Sequence, residues 1–143
     1  MVKVMFLCTA NSCRSQMAEG LARELGKGLL EAWSAGLMAA GVHARAIAVM
    51  EEIGVDISSQ RSKEIDQELL RKMDVVVTLC AAAEEACPRI PPEIKRLHWP
   101  IKDPVRAVGT EEEVLKEFRR ARNEIREKVK DLVKTLGAEG RDL

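Results

Sequence analysis

The chain has 143 residues, of which 46% are hydrophobic and 32% charged, and its 23 basic residues balance its 23 acidic ones. This length suits one core, so we expect a single domain over residues 1–143. The balanced charge gives no reason to expect a nucleic-acid partner, and every apolar run is too short for a membrane span. With no export signal before the first apolar run, we expect a cytoplasmic protein.

Strand and helix patterns alternate along the chain. In chain order we predict a strand at Val2–Leu7, a helix at Ser15–Leu25, a strand at Leu30–Ser34, a helix at Ala44–Ile53, a helix at Glu64–Met73, a strand at Asp74–Leu79, a local helix at Ala81–Ala86, a strand at Lys95–Trp99, a loop at Pro100–Gly109 and, after a capping box of Thr110 and Glu113, a helix to about Leu136. Such alternation predicts an α/β fold in three layers, a four-stranded parallel sheet with helices on both faces. Ligands of such sheets bind beyond the carboxyl ends of the strands, where Cys8 and Cys80 both fall.

The loop between the first strand and the first helix has the composition of an anion site. It reads Cys-Thr-Ala-Asn-Ser-Cys-Arg-Ser from Cys8 to Ser15. A strand–loop–helix unit points successive backbone N–H groups into one concavity, and an arginine adds a fork of donors. The same surroundings favour the thiolate of Cys8, to which Ser15 could donate a hydrogen bond, while Asn11 suits a left-handed backbone position. The predicted oxyanion-binding residues are Thr9, Ala10, Asn11, Ser12, Cys13, Arg14 and Ser15. The alternative is an ordinary turn with an incidental arginine.

Several motifs together resemble a known family, the thioredoxin-coupled arsenate reductases, which share the fold of the low-molecular-weight protein tyrosine phosphatases. The motifs follow one another in order along nearly the whole chain: Cys8–Glu19 (CTANSCRSQMAE), Trp33–Gly36, Val76–Cys80, Cys87-Pro88, His98–Pro100 and Asp103-Pro104. The loop and the Asp-Pro pair are shared with the phosphatases. The pair Cys80 and Cys87 is what points to the reductases.

The resemblance implies a reaction that uses three cysteines. Cys8 would attack arsenate held by Arg14 and the loop, and Asp103 would protonate the departing oxygen, although an aspartate before proline can also be a simple turn or cap residue. Cys80 would then attack the sulfur of Cys8 to release arsenite, and Cys87 would take over the disulfide from Cys80. Reduced thioredoxin would supply the electrons, with no tightly bound cofactor, and phosphate and sulfate would compete with arsenate.

The distance between the last two cysteines makes a structural demand. Along a continuous helix, the Cα atoms of residues 80 and 87 would be about 10 Å apart, at about 1.5 Å per residue. A disulfide needs about 4.4–6.8 Å between these atoms. We therefore expect the segment to unwind on oxidation and to present its disulfide to thioredoxin.

The sequence departs from the family pattern at two supporting positions. Family reductases that hold a monovalent cation behind the loop use side chains corresponding to Asn11, Glu19 and Ser34, plus an aspartate whose position is taken here by Lys63. We expect Lys63 to pair with Glu19 in place of the cation, the alternative being that it points to solvent. Ala10 stands where the family often has glycine, and we expect an ordinary backbone there.

Other functions compete with the reductase. Cys13 is expected to be a small buried side chain rather than a redox group, and the spacings of the four cysteines fit zinc sites poorly, so we expect no metal. The absence of tyrosine weakens a phosphotyrosine phosphatase reading but leaves room for weak activity on small aryl phosphates. A non-enzymatic phosphate- or redox-sensing module is the third hypothesis. We expect a monomer.

Overall fold

The fold is built on one parallel sheet. A computed structural model describes the backbone of residues 1–141 and the side chains of residues 1–138, so residues 142 and 143 of the predicted domain lie outside it. The elements are β1 (Val2–Cys8), α1 (Arg14–Leu25), β2 (Leu30–Gly36), α2 (Ala44–Glu51), α3 (Gln67–Leu70), β3 (Val75–Thr78), α4 (Ala81–Ala86), β4 (Lys95–His98), a 3-10 helix (Pro104–Arg106) and α5 (Glu111–Arg141). The strands lie in the order β2-β1-β3-β4, and every neighbouring pair is parallel.

The two central strands are buried on both faces. Val4, Met5, Phe6 and Leu7 of β1 are at most 1% exposed, and all four residues of β3 are buried. Because successive side chains of a strand point to opposite faces, burial of consecutive residues requires cover on both sides. The predicted three-layer fold with a four-stranded parallel sheet is confirmed.

The last helix covers one face of the core with the predicted apolar stripe. Val114, Phe118, Ala121, Ile125, Val129, Leu132 and Leu136 are all buried. The helix continues to Arg141 rather than ending near Leu136. Gly137 does not adopt the positive φ with which a glycine often ends a helix. No helix within residues 1–141 has the length and apolar character needed to cross a membrane.

The third predicted helix is wrong over most of its length. Only Gln67–Leu70 is helical, whereas Glu64 forms an isolated parallel bridge with Gly36 at the end of β2. This pairing holds the backbone before the helix extended, and Asp66 then begins the helix by accepting hydrogen bonds from the N–H groups of Glu68 and Leu69. The pairing with β2 overrides the helical spacing seen in the sequence.

The carboxyl ends of the strands converge at one edge of the sheet. The loop after β1 and the start of α4 after β3 meet there, as predicted for Cys8 and Cys80. The chain after β4 continues along the same edge, since the N–H of Trp99 bonds the carbonyl of Thr78 at 2.8 Å and the N–H of Ile101 bonds that of Leu79 at 3.0 Å. These bonds bring Asp103, two residues further on, to the same place. The predicted loop at 100–109 also contains the 3-10 helix.

Candidate active site

The loop after β1 is held by its carbonyl groups, and this leaves its N–H groups free. The carbonyls bond to N–H groups of the segment that follows β2: Leu37 to Cys8 (3.3 Å), Met38 to Thr9 (3.0 Å), Ala40 to Ala10 (3.1 Å) and His43 to Ser12 (2.8 Å). The backbone N–H groups of residues 9–13 have no hydrogen-bond partner among the described residues. A loop whose carbonyls are occupied on one side and whose N–H groups are unpaired is suited to bind an anion.

Asn11 locks the shape of this loop. It has a φ of 47°, the one positive φ among the described non-glycine residues, as its predicted left-handed conformation requires, and Ala10 has the ordinary backbone that we expected. The Asn11 amide donates to Ser15 at 2.7 Å and to Ser34 at 3.0 Å. Its carbonyl oxygen accepts from the side chain of Gln16 at 3.0 Å and from the N–H of Lys63 at 2.8 Å. All four hydrogen bonds of this buried amide are therefore made.

The sulfur of Cys8 is in hydrogen-bond contact with a hydroxyl group behind the loop. Its Sγ lies 2.8 Å from the hydroxyl of Ser15, in a buried contact. Since the Ser15 oxygen accepts a hydrogen bond from the Asn11 amide, the hydroxyl proton of Ser15 is free to point at the sulfur. A donor aimed at sulfur favours the thiolate, the form in which a cysteine is a nucleophile.

Gly36 is needed where β2 passes the loop. A Cβ atom at this position would lie 2.7 Å from the backbone nitrogen of Asn11 and 2.9 Å from the carbonyl oxygen of Thr9. Both are backbone atoms that cannot rotate away, so even one methyl group would push the loop. In the sequence Gly36 is visible only as the last residue of the motif Trp33–Gly36.

Arg14 and Asp103 face each other across the cleft formed by the loop. Arg14 is buried, donates from Nη1 to the carbonyl of Ile101 at 2.9 Å, and holds Nη2 3.6 Å from Oδ2 of Asp103. The other oxygen of Asp103 caps the 3-10 helix by accepting from the N–H of Val105 at 3.0 Å. Asp103 is therefore both a helix-cap residue and a side chain that lines the cleft beside Arg14.

The cleft has a volume of about 590 Å³ and contains most of the predicted site. Its predicted lining residues are Cys8, Thr9, Ala10, Ser12, Cys13, Arg14, Cys80 and Asp103. Asn11 and Ser15 are fully buried behind the loop, so their side chains support it rather than line the cleft. Lys102 and Arg106, which the sequence analysis gave no role, also line the cleft; their positions on either side of Asp103 could have indicated this.

The second and third predicted redox cysteines occupy the two ends of α4. Cys80 lines the cleft, lies 3.4 Å from the Thr9 hydroxyl, and caps α4 by accepting from the N–H of Ala83. Cys87 follows the helix, is partly buried and does not line the cleft. Burial raises the pKa of the Cys87 thiol. All four cysteines are free thiols in this structure.

Cys13 is the small buried side chain that we expected. It is 3% exposed and occupies the position before α1. Burial, followed by the nearby charge of Asp103, raises the pKa of its thiol far above the ordinary value. A thiol that stays protonated is a poor nucleophile, although it lies beside Cys8 in the loop.

Lys63 approaches the buried carboxylate behind the loop. Its ammonium lies 3.7 Å from Oε1 of Glu19, and it also donates to the carbonyl of Arg61. Glu19 is 2% exposed and further contacts Arg23 at 3.3 Å and the hydroxyl of Ser34 at 2.8 Å. The expected pairing of Lys63 with Glu19 is confirmed, and two cationic side chains balance this carboxylate.

Gln16 is a supporting residue that the sequence analysis missed. Its amide donates to the side chain and the carbonyl of Asn11 and to the carbonyl of Arg61, and its oxygen accepts from Gln60 at 2.8 Å. The full burial of this glutamine would have been the signal, but burial is not visible in one sequence. Within the described residues, no group of three or more histidine, cysteine or acidic side chains is placed to hold a metal ion.

Comparison with known proteins places this geometry in a family. The model of the low molecular weight phosphotyrosine protein phosphatases matches residues 3–142. An arsenate reductase of Halalkalibacterium halodurans is 49% identical over 132 residues, which cover 92% of this chain and 95% of that protein. An arsenate reductase of Bacillus subtilis is 48% identical over the same shares of the two chains.

A solved structure shares both fold and sequence with the chain. It is an arsenate reductase in its phosphate-binding state, with a TM-score of 0.79 and 40% identity, and the match covers 95% of this chain and 99% of the other. The relative therefore binds a tetrahedral oxyanion on the same fold.

Proposed function

Since the chain belongs to the low molecular weight phosphotyrosine protein phosphatase family and is an arsenate reductase within it, we propose that it reduces arsenate by a sequence of thiol reactions starting at Cys8. One observation carries this proposal: unpaired backbone N–H groups, a buried arginine and a hydrogen-bonded thiol surround one cleft. Arsenate, like phosphate, is a tetrahedral anion whose oxygens suit these donors.

The first step forms a bond between Cys8 and arsenic. The N–H groups of residues 9–13 and the guanidinium of Arg14 hold the oxygens, so that the anion lies against the sulfur. The Cys8 thiolate attacks arsenic, and one arsenate oxygen leaves as water. Asp103, beside Arg14 at the cleft, delivers a proton to that oxygen.

The second step transfers the electrons. The Cys80 thiolate attacks Sγ of Cys8, a Cys8–Cys80 disulfide forms, and the electron pair of the sulfur–arsenic bond passes to arsenic, which leaves as arsenite. The contact of Cys80 with Thr9 places Cys80 beside the loop that carries Cys8. Arsenic gains two electrons, and two thiols are oxidised.

The third step moves the disulfide away from the cleft. Cys87 attacks Cys80, Cys8 leaves as a thiolate, and a Cys80–Cys87 disulfide remains. Because α4 separates these two cysteines by about 10 Å along a helix, it must unwind. Unwinding exposes Cys87 and so removes the burial that raises the pKa of its thiol.

The remaining expectations follow from this chemistry. The exposed Cys80–Cys87 disulfide is reduced by thioredoxin, and no bound cofactor is needed, because the electrons pass between sulfur atoms. Phosphate and sulfate compete with arsenate for the loop. The cycle needs free thiols, so we place the enzyme in the reducing cytoplasm. We also propose that it acts as a monomer.

A coupled assay with thioredoxin, thioredoxin reductase and NADPH tests the cascade. Cys80→Ser should release no arsenite, and serine keeps the helix cap that Cys80 provides. Cys87→Ser should release one arsenite per chain and stop as a Cys8–Cys80 disulfide. Cys13→Ser keeps the backbone N–H of residue 13 in the loop and removes a thiol that the cascade does not use, so it should turn over repeatedly. Multiple turnover by Cys80→Ser, or Cys13 in the major disulfide, would contradict the cascade.

The cleft also supports a second, weaker activity on phosphate esters. Cys8, Arg14 and Asp103 are the groups that phosphate-ester cleavage through a thiolate requires, and neither Cys80 nor Cys87 is needed for it. None of the residues that line the cleft is aromatic, so nothing stacks on a phosphotyrosine ring. We expect slow hydrolysis of small aryl phosphates that survives in Cys80→Ser.

A further inference from the structure

A cluster of four polar side chains lies against α4 outside the oxyanion cleft. It consists of Glu84 on α4, Thr78 on β3, and Arg96 and His98 on β4, and is called here the Glu84 clamp. None of the four lines the cleft. They connect the helix between Cys80 and Cys87 to two strands of the sheet.

The hydroxyl of Thr78 joins the helix to both strands. It is hydrogen-bonded to the carboxylate of Glu84 and, at 2.8 Å, to Nδ1 of His98. A hydroxyl has one proton, so when Thr78 donates to the carboxylate it must accept from His98. His98 on β4 thus donates to Thr78 on β3, and Thr78 donates to Glu84 on α4. The bond from Thr78 is also the main reason that the pKa of Glu84 is lowered.

The guanidinium of Arg96 contacts both the backbone carbonyl and the carboxylate of Glu84. Its Nη2 donates to the backbone carbonyl of Glu84 at 2.7 Å and lies 3.3 Å from the Glu84 carboxylate. That carbonyl is among the last four of α4, which have no partner within a helix. Arg96 thus caps the carboxyl end of α4, where a cation is also favoured by the helix dipole.

These contacts belong to the helical form of the segment. Glu84 lies four residues after Cys80 and three residues before Cys87. Closing a disulfide between the cysteines shortens their separation from about 10 Å to at most about 6.8 Å, which requires a new backbone course between them. A change at the centre of the segment displaces both the carbonyl and the carboxylate that the clamp holds.

We propose, on the basis of the function proposed above, that the Glu84 clamp stabilises the dithiol form of the Cys80–Cys87 pair and makes its disulfide a stronger oxidant. Interactions present only in the reduced form raise the reduction potential of a disulfide. In the reduction step the Cys80–Cys87 disulfide accepts two electrons and two protons from a partner dithiol, which becomes a disulfide. Return of the clamp contacts favours this step. Glu84 and Arg96 are positioning residues, since neither touches arsenate or the reacting sulfur atoms.

The reduction potential of the Cys80–Cys87 pair tests the proposal. The full chain with Cys8→Ser is equilibrated in buffers of reduced and oxidised dithiothreitol, and the disulfide is quantified by peptide mass spectrometry. Adding Glu84→Gln should shift the equilibrium about tenfold toward the disulfide, which is about 30 mV more negative for a two-electron couple. Arg96→Gln should shift it in the same direction while leaving the helix sequence unchanged.

The matched control is Glu85→Gln. Glu85 is exposed on the same helix and carries the same charge, and its side chain makes no hydrogen bond or ion pair with the described residues. Its replacement should leave the potential unchanged, and the double variant of Glu84 and Arg96 should shift it by less than the sum of the single variants.

Two kinds of failure are distinguishable. Unchanged potentials in both clamp variants, or an equal shift in Glu85→Gln, would overturn the role of the clamp while the thiol cascade stands. If no Cys80–Cys87 disulfide forms even with the clamp intact, the cascade itself fails and the clamp loses its purpose. Amide hydrogen exchange of residues 81–86 in the reduced protein adds a second readout, and should be faster in the clamp variants than in Glu85→Gln.

Discussion

Ser15 is the residue through which buried polar contacts reach the nucleophile. It receives a hydrogen bond from Asn11 and contacts the sulfur of Cys8, so one rigid amide fixes both the loop and the direction of the hydroxyl proton. A hydrogen bond to a charged group contributes about 1.5–3 kcal/mol. This single contact is therefore large enough to change the reactivity of the Cys8 sulfur.

Replacing Ser15 by alanine tests this contact. We expect alkylation of Cys8 by iodoacetamide at pH 7 to slow about tenfold or more, since about 1.4 kcal/mol corresponds to a factor of ten. Peptide mapping of the alkylated protein gives the rate at Cys8 alone. Ser58→Ala, which removes an exposed serine hydroxyl that does not line the cleft, should react at the original rate; a Ser15 variant that matches it would refute the role.

Lys63 contacts the loop and Glu19 at the position where the family resemblance implies a cation-binding aspartate, and this predicts the response to salt. Glu19 already has Lys63 at 3.7 Å and Arg23 at 3.3 Å, so a potassium ion would meet repulsion rather than an unbalanced carboxylate. We expect the rate of arsenate turnover in potassium chloride to equal that in choline chloride at the same ionic strength. A several-fold stimulation by potassium would contradict this prediction.

At the scale of elements, the site depends on how closely β2 approaches the loop. The N–H groups of the segment after β2 bond to the loop carbonyls. The absence of a side chain at Gly36 lets the strand and the loop come close enough for these bonds. The strand, the loop and α1 therefore act as one unit. A change in β2 reaches the oxyanion donors without altering any residue that lines the cleft.

Gly36→Ala should push the loop away from β2. The added methyl group would meet backbone atoms at 2.7 Å and 2.9 Å, so the loop must move, at a cost of about 1–3 kcal/mol in stability. We expect a fall of at least about a hundredfold in arsenate turnover, because small misplacements of binding groups have effects of that size. Gly137→Ala is the control, since its Cβ would meet only Leu29, at 3.9 Å. Equal activity of the two variants would exclude the proposed role of Gly36.

At the scale of the whole molecule, oxyanion binding should be visible as stability. The loop and Arg14 are organised in the folded chain alone, so a bound anion stabilises the native state by mass action. Phosphate at a hundred times its dissociation constant contributes about 2.7 kcal/mol. For a chain of this size we expect the melting temperature to rise by about 5–10 °C.

Calorimetry with and without phosphate measures this rise. Arg14→Gln should largely abolish it, because the buried guanidinium is lost from the cleft. Arg71→Gln removes an exposed arginine near α3 and should retain the full rise. If Arg14→Gln keeps the rise, phosphate binds elsewhere on the protein.

The sequence by itself determined the strand–loop–helix unit around Cys8 and Arg14 and the apolar stripe of α5. It also determined the alternation of strands and helices that implies a parallel sheet. Local patterns carry this information, because periodic burial and loop chemistry are written into neighbouring residues. Only the tertiary structure decided that Glu64 pairs with β2 rather than starting a helix, that Gln16 braces Asn11, and that Glu84 meets Thr78, Arg96 and His98. These contacts join different elements of the fold, and they form only when the packing of the whole sheet sets the position of each element.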